Sequence, residues 1–232
     1  MKVTVVGYRK NYFENEIKKE KELELTEYNP DIVIAFGGEG TFLYSEMIYP
    51  GIPKVLVRHP SKCKKCSKHD YKKVIKALVN NQFQVVEFVK VVGSVRGKKV
   101  VGLNDINIHY KPPCAIRLNV GVGKKTIAKE VISDGVIIST PYGASGYYFS
   151  ITRKTFDKGL GIAFNNPVTP VKPRVVPEGS VIKVKITRGP GILCADCNQD
   201  VISLKTGDVV KIQKHSQYAI ILKLKGKTKV RI

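Results

Sequence analysis

The 232-residue sequence is poor in acidic residues and contains no tryptophan. Nineteen Asp and Glu stand against forty Lys and Arg, and the resulting formal charge of +21 predicts a surface that attracts nucleotides and other phosphate-bearing anions. Basic segments interleaved with aromatic residues are absent, so a nucleic-acid partner is not expected. The sequence also lacks a run of eighteen apolar residues and a signal-peptide core, which predicts a cytoplasmic protein with no membrane segment.

The pattern of apolar residues changes along the chain. Up to about residue 92, apolar runs alternate with amphipathic segments, which predicts a parallel sheet covered by helices. From residue 93 to residue 215, apolar runs separated by glycine-containing turns predict a β-rich region with one short helix. We therefore expect two domains, 1–92 and 93–215. The predicted strands include 3–7, 31–36, 54–57, 83–95 and 100–110, and the predicted helices include 13–25, 41–48 and 69–81.

One apolar run ends on a glycine-rich turn formed by Gly37, Gly38, Glu39, Gly40 and Thr41. Glycines let backbone N–H groups approach a phosphate, and the start of the helix that follows favours negative charge. In a plain turn glycines only relieve backbone strain, but three glycines in four positions exceed that need. Glu39 would repel phosphate unless it accepts a proton from an attacking hydroxyl or helps to hold Mg²⁺. The turn thus predicts a phosphate site for phosphoryl transfer.

Two polar residues, Asn104 and Asp105, interrupt the apolar strand predicted at 100–110 and point to opposite faces of its sheet. Asn104 would then share a face with Ile106 and Ile108, where its amide needs hydrogen-bond partners. A bound ligand and the local backbone are equally able to supply them, so the residues leave both interpretations open.

A second segment rich in small residues follows the apolar run at 135–140. Its residues Gly143, Ala144, Ser145 and Gly146 would open the start of a helix to close approach by a ligand. A purely structural turn would not need so many small residues together. The segment is therefore a second candidate binding region.

Three segments, in this order, resemble the signatures of the NAD kinase family. They are GGEGT (37–41) for the family's GGDGT loop, LNDINIHY (103–110) for its Asn-acid pair, and DGVIISTPYGASGYY (134–148) for its DG-apolar-STPTGSTAY stretch. The proline-containing segment 165–184 also resembles a later segment of the family, so the resemblance runs over most of the chain.

The resemblance implies an α/β N-terminal domain with a parallel sheet and a β-rich C-terminal domain, the NAD kinase and diacylglycerol kinase-like fold. It implies an active site in the cleft between them, and a terminal segment, 216–232, that packs back on the first domain. The implied reaction transfers a phosphoryl group from ATP with Mg²⁺, or from polyphosphate, to the 2′-hydroxyl of NAD, in a homodimer or homotetramer. A related kinase for another hydroxyl acceptor and a catalytically silent nucleotide-binding homologue are the alternatives.

The matching motifs also imply the site residues, position by position. Glu39 falls on the family's catalytic Asp. The phosphate-binding positions are Gly37, Gly38, Gly40 and Thr41. The NAD-binding positions are Asn104 near the adenine, Asp105, Asp134 near the nicotinamide end, and Ser145, Gly146 and Tyr147 around the adenosine.

The sequence departs from the family pattern at several of these places. Glu39 is one methylene longer than Asp, which moves the carboxylate by roughly 1.5 Å. An offset of that size slows a reaction in which positioning dominates catalysis. Tyr142 replaces a small residue and Ala144 replaces Ser, so the adenosine pocket is expected to differ in shape. The segment 57–70 stands where the family has a GxxGF-type loop.

Four of the five cysteines form two CxxC pairs, Cys63 with Cys66 and Cys194 with Cys197. Two such pairs can supply four thiolates to a tetrahedral Zn²⁺. The implied architecture brings both segments to the cleft, and we hypothesise a structural zinc ion there. Disulfides and free thiols are the alternatives. The remaining Cys114 is predicted to be a core residue.

Overall fold

The structure, a computed structural model, describes residues 1–8, 10–58, 71–196 and 198–225. This part of the chain forms two compact units. The N-terminal unit comprises residues 1–88 and the segment that begins at Tyr218, and the β unit comprises residues 89–217. None of the helices in the described ranges is long and apolar enough to cross a membrane.

The helices and strands follow one another in this order. The first part of the chain contains β1 (Lys2–Val6), α1 (Lys10–Ile17), β2 (Glu24–Leu25), β3 (Ile32–Gly37), α2 (Glu39–Ile48), β4 (Lys54–Arg58), α3 (Tyr71–Val79) and β5 (Phe83–Phe88). The β unit contains β6 (Val91–Val95), β7 (Lys98–Gly102), β8 (Asp105–Tyr110), β9 (Ile116–Val122), β10 (Lys125–Ser133), β11 (Gly135–Ser139), a 3-10 helix (Gly143–Ser145), α4 (Tyr147–Thr152), β12 (Leu160–Asn165), β13 (Arg174–Val176), β14 (Ile182–Arg188), β15 (Gly191–Ala195), β16 (Ile202–Leu204) and β17 (Val209–Lys214). The chain then returns to the N-terminal unit as β18 (Ala219–Leu224).

One six-stranded sheet, called sheet 1, forms the centre of the N-terminal unit in the order β2-β1-β3-β4-β18-β5. The first five strands run parallel, and β5 pairs antiparallel with β18 at the edge. Phe13 of α1 and Leu78 of α3 join Ile34 of β3 in one buried cluster, so both helices cover the same face. The glycine-rich turn follows β3 at the carboxyl end of the parallel strands, which is where such sheets bind ligands.

Two further six-stranded sheets form the β unit. Sheet 2 has the order β10-β9-β14-β17-β6-β7, and sheet 3 has the order β13-β12-β11-β8-β15-β16. Buried side chains from both sheets, such as Leu118 from sheet 2 and Leu193 from sheet 3, belong to a single hydrophobic core. On the other face of sheet 3, Ile137 and Ala163 pack against Tyr148 of α4. This packing holds α4 over β11 and β12.

Two elements are shorter than the sequence predicts. The helix predicted over 13–25 ends at Ile17, and residues 24–25 at the end of the predicted range pair with β1 as a strand. The strand predicted over 83–95 is two strands, since β5 belongs to sheet 1 and β6 to sheet 2. A continuous apolar pattern does not show that the chain passes from one sheet to another.

The strand predicted around Asn104 is also two strands. The first ends at Gly102 in sheet 2, and the second begins at Asp105 in sheet 3. A Cβ atom on Gly102 would lie 2.3 Å from the carbonyl oxygen of Asp105, so the tight turn requires glycine. Asn104 precedes the strand, and the predicted shared face with Ile106 and Ile108 is therefore wrong.

Candidate active site

The glycine-rich turn leads directly into helix α2. Glu39 is the first residue of this ten-residue helix, and Gly38 is its N-cap residue. The helix starts earlier than the predicted start at residue 41, so Glu39 lies in the first helical turn and not in a loop. Its side chain is half-buried. The first N–H groups of an α-helix have no acceptor within the helix, and they give this end of α2 a partial positive charge.

The three glycines of the turn differ in what surrounds them. A Cβ atom on Gly37 would lie 2.2 Å from Oγ1 and 2.9 Å from Cβ of Thr41, so the packing of the turn itself excludes a side chain there. A Cβ atom on Gly38 or Gly40 would have no described atom within 4 Å. The fold of the N-terminal unit therefore accounts for the first glycine and leaves open space at the other two.

In the β unit, the segment around Asn104 lies against the segment that follows β11. Ser139 at the end of β11 is paired with Asp105 at the start of β8. The N–H of Thr140 donates to the carbonyl oxygen of Asn104 at 2.9 Å, and the hydroxyl of Ser139 donates to the same oxygen at 3.3 Å. Two motifs that are distant in the sequence thus form one continuous structure.

Gly143 packs against the backbone of Asn104, which is possible because glycine has no side chain. A Cβ atom there would lie 2.1 Å from the carbonyl oxygen of Asn104 and 2.6 Å from its Cα atom. Gly143 and Ala144 are both buried. The prediction that a small residue opens the segment to a ligand is therefore wrong for Gly143, because the backbone of Asn104 fills the space. Ser145 is exposed, and Gly146 is half-buried as the N-cap residue of α4.

Replacing Gly143 with alanine is expected to lower the free energy of unfolding by about 1–3 kcal/mol, as overpacking of a buried position does. The added methyl group would have to displace the backbone of Asn104. Gly179→Ala is the matched control, since a Cβ atom at Gly179 has no described atom within 4 Å. Thermal unfolding followed by circular dichroism measures both variants. Equal melting temperatures would contradict the contact.

Tyr147 lies among polar and acidic groups on the outer face of sheet 3. Its hydroxyl oxygen accepts a hydrogen bond from Nδ2 of Asn165 at 2.7 Å. Burial raises the pKa of the Tyr147 phenol, the Asn165 bond lowers it, and the nearby Asp105, Asp134 and Cys194 raise it further. The phenol therefore keeps its proton at neutral pH and can donate a hydrogen bond to a ligand.

Asp134 is tied to the same region through the chain that follows β12. Its Oδ2 atom accepts a hydrogen bond from Nδ2 of Asn166 at 2.8 Å, and its N–H donates to the carbonyl oxygen of Asn165 at 3.0 Å. Asp105 is almost fully buried, whereas Asp134 is half-buried. Sequence reasoning does not identify the two asparagines, although both belong to the segment 165–184 that resembles the family.

The cysteine hypothesis lies mainly outside the described residues, which exclude Cys63, Cys66 and Cys197. The fourth cysteine, Cys194, is half-buried on β15, and its Sγ lies 3.7 Å from the carbonyl oxygen of Asn107. The described residues contain no group of three or more His, Cys, Asp or Glu side chains that could hold a metal ion. Zinc binding stays a hypothesis, which elemental analysis can test.

The remaining cysteine corrects a prediction. Cys114 is exposed and not part of a core. It lies in the turn between β8 and β9, directly after two prolines.

Comparison of the sequence with known proteins gives a consistent result. The model of the ATP-NAD kinase C-terminal domain matches residues 103–224. The sequence is 29% identical over 185 residues to the NAD kinase of Sulfurisphaera tokodaii, which covers 77% of this chain and 71% of that protein. It is 26% identical to the NAD kinase of Saccharolobus islandicus over 96% of this chain and 94% of the relative.

Two solved structures have the same fold. Yeast NADH kinase complexed with NADH superposes with a TM-score of 0.81 at 16% identity, over 96% of this chain and 83% of the yeast chain. An NAD kinase from Archaeoglobus fulgidus in complex with ATP superposes with a TM-score of 0.80 at 22% identity, over 97% and 94% of the two chains. The predicted fold class, α/β followed by a β-rich domain, is confirmed.

Proposed function

Because the chain belongs to the NAD kinase family and is therefore a phosphotransferase, we propose that it transfers a phosphoryl group from ATP to the 2′-hydroxyl of NAD. The observation that carries this proposal is the turn before α2, where Gly38 and Gly40, the chain neighbours of Glu39, leave open space next to the backbone. Phosphate oxygens and an acceptor hydroxyl are the groups that such an arrangement suits.

The phosphates are proposed to bind at the start of α2. Gly37 gives the chain its tight exit from β3, while Gly38 and Gly40 leave the backbone accessible. The partial positive charge of the helix start favours phosphate oxygens, and Thr41 adds a hydroxyl group within the first turn. Catalysis of phosphoryl transfer depends mostly on such positioning and electrostatic stabilisation.

Glu39 is proposed to accept the proton of the attacking hydroxyl or to hold the Mg²⁺ that accompanies ATP. One carboxylate fits this role, because Mg²⁺ at nucleotide sites is usually bound by one or two carboxylates and the substrate phosphates. When bound, the ion would neutralise charge on the transferring phosphoryl group. Glu39 itself sits half-buried at a fixed helical position, so its carboxylate has a limited range of approach.

The β unit is proposed to bind the dinucleotide through groups that suit hydroxyls and amines. The carboxylates of Asp105 and Asp134 lie near the protonated Tyr147 phenol. Carboxylates accept hydrogen bonds from ribose hydroxyls and amino groups and repel phosphates, which separates this role from that of the glycine-rich turn. Asn104 and the 145–146 backbone are proposed to add contacts with the adenosine.

The reaction is tested by incubating the protein with ATP, Mg²⁺ and NAD and measuring NADP. Polyphosphate in place of ATP, and NADH in place of NAD, identify the preferred donor and acceptor. Tight NAD binding without NADP formation would indicate a silent nucleotide-binding protein. Neither binding nor turnover would indicate another hydroxyl acceptor, which the longer Glu39 and the Tyr142 side chain would then explain.

Gly40→Ala separates the chemical role of the turn from its structural role. Alanine favours a helix over glycine by roughly 0.5–1 kcal/mol, and the added methyl group meets no described atom, so the melting temperature should stay equal or rise. A phosphate that approaches this backbone would be displaced, and kcat/KM for ATP should fall by roughly 10²-fold. Gly179→Ala serves as the control. Full activity of Gly40→Ala would contradict the proposed phosphate contact.

A further inference from the structure

The turn that carries Asn104 and Asp105 is held by one carboxylate from a distant hairpin. Asp196, directly after β15, accepts the N–H of Leu103 on Oδ2 at 2.9 Å. Its Oδ1 accepts the N–H groups of Asn104 at 2.7 Å and of Asp105 at 3.1 Å. The N–H of Asp196 donates in return to the carbonyl oxygen of Asp105 at 3.0 Å. Four hydrogen bonds thus join the two segments.

We propose that Asp196 is a positioning residue for dinucleotide binding, a proposal that rests on the proposed function. Hydrogen bonds to an ionised carboxylate are stronger than neutral ones, and three N–H groups directed at one carboxylate fix a turn in space. The side chains of Asn104 and Asp105 project from the turn that Asp196 holds. Asp196 acts through them and does not itself contact the substrate.

Thr140 holds the same turn through its carbonyl oxygens. The Thr140 hydroxyl donates to the carbonyl oxygen of Leu103 at 2.5 Å, and its N–H donates to that of Asn104 at 2.9 Å. The three N–H groups of the turn therefore bind Asp196, and the carbonyl groups of Leu103 and Asn104 bind Thr140. A turn that is hydrogen-bonded on both sides is already ordered before a ligand binds, so binding has a smaller conformational-entropy cost.

The geometry explains why the residue is aspartate and not asparagine. Both oxygens of Asp196 accept hydrogen bonds, and an amide would place an NH₂ group against one of the N–H donors. The Asp196 backbone has a φ of 49°, in the left-handed region that Asn and Asp both tolerate. Asp196→Asn therefore keeps the backbone and the side-chain shape and removes the acceptor for Leu103.

Steady-state kinetics and NAD titration calorimetry on Asp196→Asn test the proposal. The Kd and KM for NAD should rise roughly tenfold, because the free-energy cost of leaving one buried N–H without its hydrogen bond corresponds to about a tenfold change in an equilibrium constant. The KM for ATP should stay within about twofold of the wild-type value. Amide hydrogen exchange at 103–105 should become faster in the ligand-free protein, which reports the loosened turn without any substrate.

Asp208→Asn is the matched control. Asp208 lies in the turn between β16 and β17. Its Oδ2 accepts the N–H of Lys205 at 2.9 Å and lies 3.6 Å from a guanidinium nitrogen of Arg96. This aspartate also holds a turn, but that turn carries no proposed NAD contact. Asp208→Asn should lower the melting temperature and leave the KM for NAD unchanged. If Asp196→Asn behaves in the same way, its role is only structural and the proposal is overturned.

A second variant keeps the test decisive if Asp196→Asn does not fold. Thr140→Val removes the hydrogen bond to the Leu103 carbonyl and the acceptor of the Gly143 N–H with little change in shape, and it should also raise the Kd for NAD. An unchanged Kd would overturn the proposal. Failure of the proposed function gives a different result, because the wild-type protein itself would then form no NADP. If it binds NAD without forming NADP, the Kd comparison still tests the role of Asp196. The other possible result is that the wild-type protein does not bind NAD at all. That result would also overturn the positioning role.

Discussion

Glu39→Gln is expected to reduce kcat for NADP formation by roughly 10²–10⁴-fold, the range that a positioned acid-base group contributes. Glutamine keeps the length and shape of the side chain, but it accepts no proton and is a poor ligand for Mg²⁺. The loss of a negative charge in the first turn of α2 should lower the free energy of unfolding by only about 0.3–1 kcal/mol. Coupled assays of NADP formation and thermal unfolding measure the two effects separately.

Two companion variants define what the Glu39 result means. Glu22→Gln, at an exposed position of the same unit, should leave kcat unchanged. Glu39→Asp restores the residue usual in the family, so a gain in kcat would show that the extra methylene limits the rate. A loss would show that the site is built around the longer side chain. Wild-type turnover by Glu39→Gln would exclude Glu39 from both proposed roles.

Lys54→Met is expected to lower the free energy of unfolding by about 3–5 kcal/mol, as removal of one partner from a buried ion pair does. The Lys54 side chain is 0% exposed, and its Nζ lies 2.6 Å from Oε2 of Glu46. It also donates to the carbonyl oxygens of Tyr49 at 2.7 Å and Ile52 at 2.8 Å. Methionine would fill the volume and leave a buried carboxylate without its cation. Chemical denaturation measures the loss.

Lys10→Met is the matched control for this prediction. Lys10 forms ion pairs with Glu14 at 3.5 Å and Glu27 at 3.1 Å, but its side chain is 37% exposed. Exposed pairs contribute about 0–1 kcal/mol. The double variant Glu46→Leu/Lys54→Met should recover much of the loss, because it removes both buried charges. Equal losses for Lys10→Met and Lys54→Met would show that burial of the pair is not decisive.

The Lys54 pair also anchors helix α2, because Glu46 belongs to α2 and Tyr49 is its C-cap residue. Lys54 thus holds the end of the helix whose first residue is Glu39. The sequence predicts a strand at 54–57 and gives Lys54 as one of many lysines expected on the surface. Only the tertiary structure shows that three hydrogen-bond acceptors surround this one, since Tyr49 and Ile52 approach it through a turn.

Local patterns predict most of the elements but not the sheets to which they belong. The apolar run of β3 and the glycines after it are visible in the sequence, because burial on both faces and a tight turn each demand a particular composition. The break at Gly102 is not visible, since valines precede it and isoleucines follow it. The turn is bound by Asp196, which is distant along the chain, so its influence cannot be inferred from the local sequence.

The candidate site divides in the same way. Residues within a motif, such as Glu39 and Asp134, can be proposed from matching positions in the sequence. Their hydrogen-bond partners, such as Asn165 beside Tyr147, become apparent only from the contacts in the structure, although Asn165 lies in a segment that resembles the family. At Gly143 the sequence leads to the opposite error. A small residue in a motif suggests room for a ligand, but the backbone of Asn104 already fills that space.

The place of β18 between β4 and β5 has a consequence for biosynthesis. The β unit is one continuous stretch and can fold as soon as it leaves the ribosome. Sheet 1 must wait, because an interior strand is the last described strand to be translated, and β5 pairs with no other described strand. A nascent or truncated chain would thus carry a finished β unit beside an incomplete sheet, and we expect it to consume no ATP.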